Sequence, residues 1–144
     1  SADATLAWLL NENADPDTME LVTAGRLERE GNSYTLSYQE SELTGLEGTL
    51  TTFQIEPERI TLMRVGEFNS QMVFQEGRRH MSMYNTPYGA MTIGVNTRHL
   101  LAELDDQGGE IEIDYAIEID HSVAGRNTFQ INVKEAEGAA GLQI

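Results

Sequence analysis

The stretch from Gly109 to Asp120 alternates without a break between apolar and polar side chains. Its odd positions after the glycine are apolar: Ile111, Ile113, Tyr115, Ile117 and Ile119. Its even positions are acidic apart from Ala116: Glu110, Glu112, Asp114, Glu118 and Asp120. Because successive side chains of a strand point to opposite faces, this pattern predicts a β-strand with one apolar and one acidic face.

The same alternation recurs along the chain between turn signals such as Gly31-Asn32 and Thr86-Pro87-Tyr88-Gly89. It predicts strands over residues 19–30, 33–40, 50–55, 59–65, 69–75, 79–84, 90–97 and 127–135, besides the one above. The run Ala4 to Leu10 fits a helix or a strand. Arg98 to Leu104 fits one helical turn or a continued strand. Asn11 to Asp17 and Asp105 to Gly109 read as turns or loops.

These elements show no strand–helix–strand rhythm, so the sequence predicts an all-β fold with antiparallel neighbours. Each strand has one apolar face, which a sheet buries by closing on itself or by packing on a second sheet. A single up-and-down barrel of the calycin or lipocalin type, with roughly eight to ten strands, is the preferred architecture, and a sandwich is the alternative. We expect one domain over residues 1–144, with its core at about 19–135 and a loose tail at 137–144.

The net charge of −15 is distributed unevenly along the chain. Residues 1–50 and 101–144 each carry ten acids and two bases, whereas residues 51–100 carry four acids and five bases. Such a field repels phosphates and anionic lipids, so we expect neither nucleic acid nor membrane as a partner. The basic run Arg78-Arg79-His80 is too short to reverse that expectation.

Motifs for catalysis, metals and cofactors are not found in the sequence. There is no cysteine, no nucleophile elbow and no phosphate-binding or dinucleotide loop. His80, His99 and His121 lack a metal-ligand spacing, and the loop at Asp105 lacks the ligand pattern of an EF-hand. We therefore expect no enzyme, no metal and no cofactor. Without a membrane span or a secretion signal in view, the cytoplasm is the expected location.

Several short motifs, in their order and spacing, resemble those of a known family. They are Tyr38-Gln39-Glu40, Arg64-Val65-Gly66, Met72-Val73-Phe74, Tyr84-Asn85-Thr86-Pro87-Tyr88-Gly89 and Asp114-Tyr115. Between about Met19 and Glu135 the chain is similar to the YwiB-like family of bacterial calycin-like β-barrel proteins. The resemblance implies a small cytoplasmic barrel and supplies no catalytic residues, because the family is a domain of unknown function.

Glu40 and Arg64 extend apolar strand faces and are therefore predicted to point into the barrel. Glu40 continues the face of Tyr34, Leu36 and Tyr38, and Arg64 continues that of Ile60 and Leu62. Since a buried charge is costly without a partner, an internal Glu40–Arg64 ion pair is one interpretation. The other is a polar anchor for a ligand, with Arg64 binding a carboxylate or phosphate and Glu40 an amine or hydroxyl.

Methionines and aromatic residues cluster between residues 72 and 91. Methionine serves as core filler and also lines adaptable binding walls. The candidate ligand-binding set consists of Glu40, Arg64, Tyr38, Met72, Phe74, Met81, Met83, Tyr84 and Met91. Met81, Met83 and Met91 are expected to meet at one end of the barrel.

The leading hypothesis is a non-enzymatic protein that binds a small, mainly apolar or amphipathic ligand inside the barrel. This hypothesis fails if side chains fill the interior, as in small packed barrels. The alternative is a protein-interaction module that steers a basic partner to its acidic outer face, or a packed barrel that forms homodimers.

Overall fold

The computed structural model describes residues 2–12, 17–67, 69–86 and 88–135, with the backbone alone described at 2–12, 17–21 and 84–86. Ten strands and one short 3₁₀ helix, Glu42–Thr44, make up this part of the chain. The strands are β1 (Ala2–Glu12), β2 (Asp17–Glu30), β3 (Ser33–Gln39), β4 (Thr49–Ile55), β5 (Ile60–Gly66), β6 (Ser70–Phe74), β7 (Arg79–Thr86), β8 (Gly89–Asp105), β9 (Gly108–Ile119) and β10 (Ser122–Glu135).

The strands form a closed barrel in which each strand is antiparallel to the next one in sequence. The barrel closes where β1 pairs with β10, from Ala4 opposite Glu135 to Glu12 opposite Asn127. The predicted all-β, up-and-down class is thereby confirmed, and the ambiguous run Ala4 to Leu10 is a strand. Asn11 and Asp17, predicted as loop, belong to β1 and β2. The predicted tail at 137–144 lies outside the described residues.

The alternating pattern of the sequence separates the barrel interior from its surface. Along β9, Ile111, Ile113 and Tyr115 are at most 3% exposed. The intervening Glu112 and Asp114 are half-buried on the outer face. Burial of such apolar side chains contributes roughly 1.5–3 kcal/mol each, so one sheet that closes on itself supplies the core.

A β-bulge in β8 explains why residues 98–104 lack a clear period. The register with β9 shifts between Thr97 and His99. Before the shift, the odd positions Ile93, Val95 and Thr97 are buried. After it, the even positions Leu100, Ala102 and Leu104 pack against the core. Since a bulge adds one residue to one strand, it reverses the parity of all that follows. Arg98 to Leu104 is therefore a continued strand.

Two turns differ from the sequence-based expectation. The turn between β8 and β9 is limited to residues 106–107, and Gly108 and Gly109 already belong to β9. A Cβ atom on Gly109 would lie 1.9 Å from the carbonyl oxygen of Glu103, so this pairing requires glycine. The turn between β9 and β10 consists of Asp120 and His121, with φ of 51° and 66°. The sequence did not predict this tight hairpin because neither residue is glycine or asparagine.

Candidate functional site

Four of the predicted site residues lie on one row that crosses six neighbouring strands. The row connects directly opposed residues from β3 to β8: Tyr38, Thr51, Arg64, Ser70, Tyr84 and Met91. Directly opposed residues share a face of the sheet. Tyr38 and Thr51 are buried, at 4% and 0% exposed, which identifies that face as the interior. The row lies at the end of the barrel that carries the β3–β4 and β5–β6 connections.

Glu40 follows β3 and places a carboxylate beside this row. Its side chain is 1% exposed. The hydroxyl of Thr51 donates to Oε2 at 2.5 Å, and the hydroxyl of Thr44 donates to Oε1 at 2.9 Å. Hydrogen bonds to a charged acceptor contribute roughly 1.5–3 kcal/mol each, so these two hydroxyls are the close partners that make the buried carboxylate tolerable.

Arg64 lies next to Glu40 without a close hydrogen bond to it. Its Nε atom is 3.8 Å from Oε2 of Glu40, and the Arg64 side chain is 13% exposed. Within the described residues, this buried Nε has no hydrogen-bond acceptor. The predicted Glu40–Arg64 pair therefore exists as an ion pair, yet a guanidinium donor remains unused in a place shielded from water.

Tyr38 completes the polar cluster and responds to the charges around it. Burial raises the pKa of the phenol well above its ordinary value, and the neighbouring Glu40 carboxylate raises the pKa further. The Arg64 guanidinium lowers the pKa and offsets part of this rise. Tyr38 is therefore a neutral hydroxyl at physiological pH.

An aromatic cluster fills the middle of the barrel below the row. Phe53 on β4 contacts Phe129 on β10 edge to face, with ring centroids 6.0 Å apart. Phe74 on β6 contacts Tyr115 on β9 at 4.8 Å, and Tyr115 stacks on Phe129 at 5.8 Å. Strands β4 and β10 are not neighbours, nor are β6 and β9, so the rings of Phe53, Phe129, Phe74 and Tyr115 meet across the barrel and form a packed layer there.

At the opposite end of the barrel, side chains of β2 and β3 contact the turn between β8 and β9. The phenol of Tyr34 donates to Oδ1 of Asp106 at 3.3 Å, and Arg29 lies 3.4 Å from the same oxygen. Asp106 belongs to the turn between β8 and β9, whereas Arg29 and Tyr34 belong to β2 and β3. These contacts cross the mouth of the barrel, which leaves the end with Arg64 as the better candidate for a site.

The structure separates the predicted methionines instead of gathering them at one end. Met72 is buried at 4% exposed, and Phe74 is fully buried within the aromatic cluster. Met81 and Met83 are 64% and 59% exposed. They alternate with the buried Ser82, so they point outward and the expectation that they line the interior is wrong. Met91 has the inward parity of Ile93 and is 37% exposed. The side chain of Tyr84 lies outside the described part of the chain.

Thr44 and Thr51 were missed as members of the site. For Thr51 the signal was present, because it shares the parity of the buried Phe53 and Ile55 on β4. A hydroxyl on an inward position indicates a polar partner inside. For Thr44 there was no comparable signal, since its position depends on the 3₁₀ helix that follows Glu40.

The acidic outer face is partly neutralised by arginines from β7 and β8. Arg98 lies 3.2 Å from Asp114, and Arg79 lies 2.7 Å from Glu118. Glu118 is moreover buried, at 8% exposed. Two of the five predicted acidic residues are thus engaged within the chain, and Asp120 belongs to a turn. Recruitment of a basic partner to this face stays a prediction.

Two kinds of feature are absent from the described residues. These residues contain no helix long and apolar enough to cross a membrane. They also contain no group of three or more histidine or acidic side chains placed to hold a metal ion.

The fold and the interior cluster define a closed antiparallel β-barrel with a polar site at one end. Residues 9–131 match the family model described as Domain of unknown function (DUF1934), and the chain belongs to this family. Among solved structures, the chain is similar to the crystal structure of ywiB protein from Bacillus subtilis, with a TM-score of 0.82 and 20% identity. That match covers 94% of this chain and 92% of the other, and it shows a shared fold. No curated protein matches the chain.

Proposed function

We propose that this protein binds a small amphipathic molecule at the Arg64 end of the barrel, with an anionic head group on the guanidinium. The observation that carries the proposal is the buried Nε of Arg64, which has no acceptor among the described residues. A buried, unused donor on a permanent cation is unfavourable in the free protein and is satisfied by a carboxylate or phosphate oxygen.

The surroundings of Arg64 support an anion as the head group. The adjacent Glu40 carboxylate already accepts from the hydroxyls of Thr44 and Thr51, so neither of its oxygens needs Arg64 as a hydrogen-bond donor. A side chain that is only 13% exposed is partly removed from water, which strengthens its interaction with an incoming charge. Arginine also matches carboxylate and phosphate oxygens with paired N–H groups.

The packing below Arg64 limits how deep the apolar body of the ligand can reach. The aromatic rings of Phe53, Phe74 and Phe129 meet across the middle of the barrel, so a ligand that respects this packing stays above them. The inner wall beside Arg64 includes the buried Met72 and the ring of Tyr38. These side chains give apolar contact, and the phenol of Tyr38 supplies one neutral hydroxyl group.

Native mass spectrometry on protein purified gently from a bacterial host tests the proposal. We expect a non-covalent mass that disappears on denaturation, or dodecanoate binding when that probe is added to protein purified without ligand. Arg64→Met is expected to weaken dodecanoate binding at least tenfold. Arg98→Met is the matched control because Arg98 is an exposed arginine, paired with Asp114 on the outer face. A wild-type protein that binds no dodecanoate at millimolar concentration and carries no ligand contradicts the proposal.

A further inference from the structure

One seam of the barrel wall differs from all the others. Among the described residues, β6 and β7 share a single ladder position, Ser70 opposite Tyr84. The other neighbouring strands share at least five positions each. Since ladder hydrogen bonds hold adjacent strands together, the wall is weakest between residues 71–74 of β6 and residues 79–83 of β7.

The residues between β6 and β7 form backbone hydrogen bonds with β8. The amide of Gly77 donates to the carbonyl of Thr97 at 2.9 Å, and the amide of Thr97 donates to the carbonyl of Arg78 at 3.1 Å. Strand β7 then pairs with β8 over its whole length, from Arg79 to Thr86. Strand β6 pairs with β5 along its whole length as well. Strand β6 is thus held by β5, and strand β7 is held by β8. The two strands β6 and β7 can therefore separate from each other while each keeps its other neighbour.

The two ends of the seam are fixed, so the weak stretch is a window and not an open edge. The Ser70–Tyr84 pair closes the end nearer Arg64. At the other end, Nε2 of His80 lies 3.0 Å from Oε1 of Gln75, which joins the start of β7 to the residue that follows β6. Between these points the inner side of the window consists of Met72, Phe74 and Ser82, all buried.

We infer that a ligand reaches the interior through this window between β6 and β7. The inference rests on the proposed function, because it concerns the same ligand and the same Arg64. Ser70, at the upper end of the window, is directly opposite Arg64 on β5. The apolar part of a molecule that passes between β6 and β7 therefore contacts Met72, while its anionic group lies close to the Arg64 guanidinium. The opposite mouth of the barrel is crossed by the Tyr34–Asp106 contact.

The absence of native cysteine makes a disulfide across the window a clean test. Gln71 and Met83 are the next residues into the window from the paired Ser70 and Tyr84, and both are exposed on the outer face. In the variant with Gln71→Cys and Met83→Cys, oxidation is expected to slow association of 8-anilinonaphthalene-1-sulfonate at least tenfold in stopped-flow fluorescence, and reduction to restore it. The control pair, Thr52→Cys and Met63→Cys, joins two strands that are already laddered and leaves the rate unchanged.

The possible outcomes separate the two proposals. If the probe binds and oxidation across the window leaves its association rate unchanged, entry through the window is wrong and the proposed function stands. If wild-type protein binds neither this probe nor dodecanoate, both proposals are wrong. Hydrogen exchange of the wild-type protein adds a measurement that needs no variant. Those amides of residues 71–74 that point toward β7 should exchange at least tenfold faster than amides of residues 52–55, and equal protection overturns the window.

Discussion

Arg79 and Glu118 form an ion pair of 2.7 Å although they belong to strands that are not neighbours. Arg79 is on β7 and Glu118 is on β9, so the pair crosses the outer surface of β8. It crosses at Gly94, which is opposite Glu118 in the ladder. A Cβ atom at Gly94 would lie 3.5 Å from Oε1 of Glu118 and 3.6 Å from Cδ of Arg79. The glycine therefore leaves the space through which the two side chains meet.

Gly94→Val is expected to destabilise the protein even though valine favours strands. Its two methyl groups extend past the Cβ position into the ion pair, and separation of the pair leaves the mostly buried Glu118 carboxylate without its arginine. We expect a loss of about 1–3 kcal/mol in the free energy of unfolding, measured by urea denaturation.

Gly94→Ala is the matched control for this variant. Its Cβ contacts are ordinary van der Waals distances, and alanine reduces the conformational entropy of the unfolded chain, so stability is expected to stay the same or to rise by about 0.5 kcal/mol. If the valine and alanine variants are equally stable, the space above Gly94 does not matter to the pair.

The fold class could be predicted from the sequence because alternation is a local property. In strand β9 the inward positions from Ile111 to Ile119 are all apolar, and four of the five outward positions from Glu110 to Glu118 are acids. The bulge after Thr97 could not be predicted, since one added residue reverses parity without a compositional signal. The outward direction of Met81 and Met83 was missed for a related reason. Methionine occurs on both faces, and its presence alone does not mark the inner one.

The candidate site was predictable only in part. Parity placed Tyr38, Glu40 and Arg64 inside, and the register puts Tyr38 and Arg64 on one row with Thr51 between them. The distribution of hydrogen bonds within the site was not predictable. Arg64 lies 3.8 Å from Glu40, whereas the hydroxyls of Thr51 and Thr44 lie 2.5 and 2.9 Å from it. These small differences in distance follow from the path of the β3–β4 connection, which the sequence pattern does not give.

Thr51→Val is expected to destabilise the protein by about 2 kcal/mol, because it removes a hydroxyl donor from a buried carboxylate while keeping the side-chain shape. Thr51 is fully buried and its hydroxyl is the close partner of Oε2 of Glu40. Urea denaturation at neutral pH measures the change. Thr51→Ser keeps the donor and is expected to lose less than about 1 kcal/mol, mainly for the missing methyl group.

Arg64→Met is expected to cost less than Thr51→Val in the same assay, because the Thr44 and Thr51 hydroxyls keep both Glu40 oxygens hydrogen-bonded, whereas Nε of Arg64 is 3.8 Å from Oε2. A loss with Arg64→Met that exceeds the loss with Thr51→Val would show that the ion pair, and not the hydroxyls, holds Glu40. That result would also weaken the case for Arg64 as a ligand anchor.

Tyr38 is expected to make stability fall at alkaline pH. Its pKa in the folded protein is raised, so between the unfolded value near 10 and the raised value the unfolded state loses a proton that the folded state keeps. The stabilisation is thus complete below about pH 10 and is lost as pH rises, by about 1.4 kcal/mol per pH unit. Urea denaturation between pH 8 and 11 measures this slope.

Tyr38→Phe is expected to reduce the alkaline slope, because the group that titrates is gone. Leu36→Val, at a buried position on the same face of β3, is the control. It should lower stability by a similar amount at every pH, about 1 kcal/mol, and leave the slope as in the wild type. An unchanged slope in Tyr38→Phe would mean that other groups cause the alkaline loss.

The turn between β9 and β10 should be stabilised by an Asn-Gly sequence. Asp120 and His121 both have positive φ, and among the described residues they are the non-glycine residues that do. The left-handed conformation costs an ordinary side chain about 1 kcal/mol, whereas Asn-Gly adopts this type of hairpin turn readily. Asp120→Asn combined with His121→Gly is therefore expected to raise the free energy of unfolding by about 1 kcal/mol, measured by urea denaturation. Gln107→Gly, in a turn position without positive φ, is the control and should give no gain, because glycine there only adds freedom to the unfolded chain. A loss of stability in the Asn-Gly variant would show that Asp120 or His121 makes a contact that outweighs the strain of its backbone.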